Sequence, residues 1–309
     1  MRPLDKLILI FDRTMVLFIG LAVGGAIAAS FLGGTETSGG QAQAGTPPPL
    51  TQAVKAAALN RRTVDPATPR LVQAAAHHRK VEIGVFGDSF GDGIWAGLYN
   101  ILRSDQRFEV SQFSERSTGF TRYRSLNLLE DIRSKLDRQP VDIAVVSFGA
   151  NDTQGIFDAG HGNAYMSDGW QRIVTERVTA VVGLLRERGA MVYWVGLPKM
   201  RDPHFDTDIQ AMNHFYADRM AALDVPYVET LPMSVDAAGN YEPYLPAEQG
   251  RERQLARTND GIHMTIPGYI HAMRGLSDRI RSSVAQAETQ ADTQAGGAAA
   301  PPPTARSHG

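Results

Sequence analysis

Cysteine is missing altogether from the 309 residues. Its absence excludes disulfides, thiolate metal sites and a cysteine nucleophile. It assigns no compartment, because exported proteins can also do without cysteine. An excess of one charge is missing too. Lys and Arg number 31 against 33 Asp and Glu, a formal net charge of −2, and no dense Lys/Arg run occurs. That removes the electrostatic case for a nucleic-acid partner. The glycines around Gly84 and Gly87 lack the G-x-G-x-x-G spacing, and no P-loop Gly-Lys-Ser/Thr is present, so a nucleotide site lacks its phosphate loop. The histidines show no spacing that argues for a metal site, and no repeat recurs at solenoid periods.

What is present begins with one long apolar run. Arg2, Lys6 and Arg13 precede an uncharged stretch, Thr14 to Thr35, whose centre from Met15 to Leu32 is apolar throughout. About 20 apolar residues suffice to cross a bilayer, and the flanking charges put the N-terminus in the cytoplasm and the rest outside. Residues 1–34 are therefore expected to be a membrane anchor. Ala26-Ile27-Ala28 resembles a cleavage site, so a signal peptide is the alternative, although the run exceeds the usual length of such a segment. The expected location is a bacterial inner membrane with the main domain in the periplasm, or release into the periplasm. Residues 35–72, rich in Gly, Ala, Thr, Gln and Pro with Pro47-Pro48-Pro49 inside, read as a flexible linker. Residues 285–309 read as a disordered tail.

Between these, residues 73–284 alternate strand and helix patterns. Apolar strand-like runs occur at Val81–Phe86, Phe108–Phe113, Val141–Phe148, Met191–Leu197 and Pro226–Leu231. Helical spacing occupies Ile94–Leu102, Leu126–Leu136, Trp170–Arg188 and Asp208–Leu223, and Pro267 opens a last helix to Val284. Strands that alternate with helices predict an α/β fold, doubly wound and flavodoxin-like. It would be a three-layer α/β/α sandwich around a central parallel sheet of about five strands. In such sheets ligands collect at the carboxyl ends of the strands. The stretch from Gly155 to Gly169, with Phe157, Tyr165 and Met166, is a candidate specificity loop.

Three short motifs fall at that rim. Gly87-Asp88-Ser89 follows the first strand, Gly149-Ala150-Asn151-Asp152 follows the third, and Asp260-Gly261-Ile262-His263 precedes the last helix. Gly87 and Gly91 permit a tight turn that exposes the Ser89 hydroxyl. A carboxylate three residues before a histidine can reach its Nδ1–H, leaving Nε2 to take a proton from the serine. The Asn151 amide could stabilise the charge that results. Each motif alone also suits a turn or a helix cap; their joint order is what points to chemistry.

Taken together, the motifs resemble the SGNH (GDSL-type) hydrolase family over residues 80–283. Phe86-Gly-Asp-Ser-Phe90 is similar to the nucleophile block, with Phe90 where Leu or Ile is frequent. Gly119 is similar to the second-block glycine, Gly149-Ala-Asn-Asp152 to the G-x-N-D block and Asp260-Gly-Ile-His263 to the final D-x-x-H. The resemblance, strongest to an envelope branch with an N-terminal membrane segment, implies Ser89 as nucleophile, His263 as base and Asp260 as its orienter. It implies an oxyanion hole built from the Ser89 N–H, the Gly119 N–H and the Asn151 side chain, with no metal or organic cofactor. The expected substrate is a small acyl ester or an O-acetylated envelope glycan. O-acyltransfer through the same residues and a non-catalytic scaffold are the alternatives.

Overall fold

A valine- and isoleucine-rich strand buried on both faces must lie inside a sheet, and the runs at Val81–Phe86 and Val141–Phe148 do so. In the computed structural model, which describes residue 60, residues 62–246 and residues 252–298, β1 (Val81–Gly87) and β3 (Ile143–Ser147) are almost wholly buried neighbours. They pair in parallel, Ile83 beside Ile143 and Gly87 beside Ser147. β2 (Phe108–Gln112) flanks β1, while β6 (Met191–Val195) and β7 (Tyr227–Val228) extend the sheet beyond β3, all in parallel. The sheet has five strands in the order β2-β1-β3-β6-β7. A two-stranded antiparallel hairpin, β4 (Ile156–Asp158) and β5 (His161–Asn163), stands apart from it.

The period-2 alternation of strand side chains divides the core in two. Ile83, Val85, Ile143, Val145, Tyr193 and Val195 face one layer. There they meet α1 (Pro69–Ala76), α2 (Ser89–Leu102) and α6 (Ile266–Ala298). Phe86, Ala144, Val146, Val192 and Trp194 face the other layer, against α3 (Leu128–Arg138), α4 (Asp168–Glu187) and most of α5 (Pro203–Ala222). The three-layer, doubly wound α/β/α arrangement is thus the observed fold. The chain leaves β1 toward β2 on one side and returns to β3 on the other, so a crevice opens at the carboxyl ends of β1 and β3.

α2 and α6 approach closely because α2 carries glycine where they cross. A Cβ on Gly93 would lie 1.9 Å from the Tyr269 ring, and one on Gly97 would lie 2.8 Å from the Tyr269 carbonyl. No side chain fits at either place.

Several expected boundaries are corrected. The linker does not extend to residue 72. Thr68 caps α1 and Pro69 occupies its first turn, and Leu71, Val72 and Ala74 are buried. Upstream, the buried Asp65 receives Arg279 Nε and Nη2 at 2.6 Å each and the Tyr193 hydroxyl at 2.7 Å. The disordered tail does not begin at 285 either. α6 continues to Ala298, and Ala287 and Ala291 join Val284 in the core. Composition misled here: Ala-rich sequence reads as low complexity, yet Ala is the strongest helix former, and small residues at positions 284, 287 and 291 share one face. α5 starts at Pro203 rather than Asp208, because Asp202 caps it at the Phe205 N–H. The candidate specificity loop carries the β4–β5 hairpin. Ala159 and Gly160, with φ of 47° and 83°, make its two-residue turn, the positive-φ kind that suits strand twist. The expected membrane segment at Thr14 to Thr35 and most of the linker lie outside the described residues. Among the described residues no helix is long and apolar enough to cross a membrane.

The Asp65–Arg279 pair is buried on both sides, with 5% and 8% of the side chains exposed. Removing one partner of such a pair typically costs about 3–5 kcal/mol. Asp65→Ala is expected to lower the unfolding free energy by roughly 3 kcal/mol, measured by urea titration followed by circular dichroism.

Candidate active site

Ser89 is the first residue of α2, directly after β1. The turn between them is tight enough that a Cβ on Gly87 would lie 2.4 Å from the Ser147 carbonyl oxygen of β3. Asp88 caps the helix by accepting the Phe90 N–H at 2.8 Å. This capping lifts the serine to the sheet rim at a helix N-terminus.

The Asp260–His263 motif arrives from the other end of the chain, just before α6. The Asp260 Oδ1 accepts the Thr258 hydroxyl at 2.6 Å, the Ile262 N–H at 2.8 Å and the His263 N–H at 3.0 Å. Gly261 sits within the turn at φ +74°, a conformation that favours glycine. The other oxygen, Oδ2, lies 2.7 Å from His263 Nδ1. His263 Nε2 in turn lies 2.8 Å from Ser89 Oγ. Ser89, His263 and Asp260 therefore form one continuous chain of hydrogen bonds across 174 residues of sequence.

The electrostatics favour one protonation pattern. Partial burial would raise the Asp260 pKa, but the bonds from His263, Thr258 and the two backbone N–H groups outweigh it and hold the carboxyl well below its usual range. An ionised carboxylate only accepts, so the Nδ1 facing it carries the hydrogen, and in the neutral imidazole Nε2 is then the acceptor facing Ser89. Two further groups fix the imidazole. The Phe90 ring stacks on it with centroids 5.0 Å apart. The buried Arg257 donates to the carbonyls of Ile262 at 2.7 Å, His263 at 3.3 Å and Lys199 at 2.6 Å, which ties the motif's backbone to the loop after β6.

The remaining predicted residues gather behind the hydroxyl. Asn151 Nδ2 donates to Asp88 Oδ2 at 3.2 Å and to the Thr118 carbonyl at 3.1 Å. Both amide hydrogens thus have partners within the protein, whereas the expected disposition is a donor directed at the same spot as the Ser89 N–H. The amide joins the nucleophile turn to the peptide that precedes Gly119. Gly119 itself is packed against Asp152, where a Cβ would lie 2.4 Å from Oδ1. Asp152 is buried and accepts the Thr121 N–H at 2.7 Å and the Thr121 hydroxyl at 2.8 Å, so it shapes the loop that presents Gly119. Among the described residues neither the Ser89 N–H nor the Gly119 N–H has a hydrogen-bond partner.

Sequence reasoning missed four contributors: Asp88, Asp152, Phe90 and Arg257. The first three lie inside or beside motifs already singled out, so motif membership was a usable signal. Arg257 carried none, since its role depends on the fold of a loop.

With this geometry in view, the chain can be set beside known proteins. A family model described as "Protein of unknown function (DUF459)" matches residues 82–279, and the chain belongs to that family. No curated protein matches it. Among solved structures, the periplasmic domain of a lipopolysaccharide acetyltransferase from Salmonella ser. Paratyphi A superposes with a TM-score of 0.49 at 11% identity, covering 76% of this chain and 98% of that one. A GDSL-like lipase from Bacteroides thetaiotaomicron gives 0.46 at 15% identity, over 77% and 97% of the two chains. An acetyl xylan esterase gives 0.44 at 17% identity, over 66% and 100%. These likenesses are distant, and the chemistry has to be read from the chain's own atoms.

Burial pushes the Asp88 carboxyl up from 3.8 to about 7, against the bonds from Phe90 and Asn151 that favour ionisation. The folded state thus holds this proton more tightly than the unfolded chain. Its contribution to stability is highest near pH 4, falls as pH rises toward 7, and is flat above. The span is on the order of 4 kcal/mol. Asp88→Asn, which cannot ionise, is expected to flatten that part of the curve, so that the difference between variant and parent stability changes steadily from pH 4 to pH 7 in urea titrations.

Proposed function

We propose that this protein is a serine ester hydrolase of the SGNH type. The observation that carries the reading is the unbroken Ser89–His263–Asp260 hydrogen-bond chain, 2.8 Å and 2.7 Å long at its two links.

In this reading Ser89 Oγ attacks an ester carbonyl carbon while Nε2 of His263 takes its proton. Asp260 holds the ring in the required tautomer and stabilises the imidazolium. The Ser89 and Gly119 N–H groups donate to the oxyanion, and Asn151 holds the two turns that carry them in register, or turns one of its hydrogens to the oxyanion when substrate arrives. The tetrahedral intermediate collapses, the alcohol leaves with the proton from His263, and the acyl group stays on Ser89. His263 then deprotonates a water, which attacks the acyl carbon, and the acid departs as Ser89 regains its proton. No step draws on a group beyond these residues and water.

The substrate we assign is a short acyl ester, an O-acetyl group on an envelope glycan. The support is the apolar run from Met15 to Leu32 behind Arg2, Lys6 and Arg13, which would hold the domain outside the cytoplasm.

The full chain is expected to react with a fluorophosphonate probe, and Ser89→Ala to abolish labelling. On p-nitrophenyl esters of increasing chain length, acetate is expected to be preferred. His263→Ala should lower kcat by about 10³ or more, and Asn151→Ala by about 10²–10³. A wild-type protein that takes no label, or turnover indifferent to Ser89→Ala, would overturn the reading.

A further inference from the structure

The loop around Gly119 and the turn of Asn151, which the Asn151 amide ties to the nucleophile turn, run on into the walls of one cleft. The loop that presents Gly119 continues through residues 121–125, and the turn that carries Asn151 leads into the β4–β5 hairpin. Between them lies a cavity of about 440 Å³, within the size range of small-molecule sites. It is coupled to the hydroxyl's surroundings through Thr121, whose hydroxyl donates to Asp152 and accepts Gln154 Nε2 at 3.1 Å.

The lining is unusual for a chain with a net charge of −2. Arg122, Arg124 and Arg177 border the cleft together with Tyr123 and Phe157. Arg177 is set in place by the Phe120 carbonyl at 2.6 Å and by Asp158 at 3.2 Å, and its guanidinium lies 4.4 Å from the centre of the Tyr123 ring. Arg122 donates to the Ser117 carbonyl at 3.0 Å, and its charge offsets a small part of the burial that raises the Asp152 carboxyl. Arg124 lies over the Phe157 ring at 5.2 Å. Among the described residues neither Arg122 nor Arg124 has a carboxylate within ion-pair distance. Among the lining residues the one carboxylate is Asp158, shared with Arg177. The cleft is therefore net positive.

Phe157 is 56% exposed. Arg124 lies over one side of this ring, and its remaining exposed surface beside guanidinium donors suits a ligand with an apolar CH face and an anionic edge. A uronic acid has both: its ring face can stack on Phe157, and its planar carboxylate can accept paired N–H bonds from an arginine. We infer that the cleft between residues 121–125 and the β4–β5 hairpin is a substrate subsite that selects acidic saccharides, receiving a uronate of the acylated glycan chain while the ester meets Ser89. The inference rests on the ester-hydrolase reading for its function, but not for its binding test.

That test uses the full chain carrying Ser89→Ala and follows binding by calorimetry, with trigalacturonate, a neutral galactotriose and a sulfated neutral trisaccharide as probes. Trigalacturonate is expected to bind at least about tenfold more tightly than the neutral trimer. Arg124→Glu should weaken it by about tenfold or more, and Arg124→Lys should restore part of the affinity. Phe157→Ala should weaken it as well. Thermal unfolding of each variant checks that the fold is kept; Arg124 is exposed, so little change is expected. Equal affinity for charged and neutral trimers, or trigalacturonate binding indifferent to Arg124→Glu, overturns the subsite. Binding of the sulfated probe alone overturns the uronate assignment. In the active chain, the ratio of kcat/KM for acetylated polyuronate over acetylated neutral glycan should fall about tenfold in Arg124→Glu. Fluorophosphonate labelling of Ser89 separates the two ideas: labelling without uronate binding removes the subsite and leaves the hydrolase reading standing. Uronate binding without labelling does the reverse.

Discussion

The Tyr269 ring rests on the bare backbone of Gly93, and the geometry of the candidate site follows from that contact. Ser89 begins α2 and His263 lies three residues before α6, so the distance between them is set by how deeply one helix seats on the other. Glycine at positions 93 and 97 lets the two axes approach to backbone contact. A side chain at either would push α6 outward and carry His263 with it. The same helix is anchored at a second point, where Arg279 meets Asp65 and Tyr193 beneath the sheet. The position of the histidine loop is therefore set by the packing of a 33-residue helix, while Asp260, Phe90 and Arg257 orient the imidazole within it.

Behind the hydroxyl the protein tolerates an electrostatic cost. Asp88 and Asp152 are both fully buried, and burial raises both carboxyl groups. Replacing them with apolar residues would remove that cost and also the bonds that order the site. Asp88 caps α2 and receives Asn151, while Asp152 gathers Thr121 and the loop around Gly119. Together they hold three turns, from three different parts of the chain, within hydrogen-bond reach of one another. Preorganised donors of this kind need no rearrangement when charge develops, which is where most of their value to a reaction lies.

The same two turns extend outward to the arginine-lined cleft. In doubly wound sheets the loops beyond the strand ends are free to vary while the strands stay put. Here the loop after Gly119 and the hairpin after Asn151 use that freedom to gather cations and a partly exposed aromatic ring around one cleft. In the proposed reading, reaction chemistry and ligand choice would be carried by successive stretches of the same two connections.

By itself the sequence determined the class of the fold and the membership of the hydrogen-bond chain. Buried parallel strands are apolar and are joined by helices, so periodicity exposed all five strands of the central sheet, and Ser89 and Asn151 stood out as polar residues after two of them, Asp260 and His263 as a pair before the last helix. It also located most helices, because caps and amphipathic spacing are local properties. Only the tertiary structure decided the rest. Asp65, Ala287 and Ala291 belong to the core because of what lies opposite them, and nothing in their own neighbourhood says so. The commitment of the Asn151 amide to Asp88 and Thr118, the stacking of Phe90 on His263, the grip of Arg257 on the histidine loop and the meeting of Arg122, Arg124 and Phe157 are likewise contacts between segments distant along the chain. Residue type states what a side chain can donate, accept or bury; its partner is chosen only when the layers close around it.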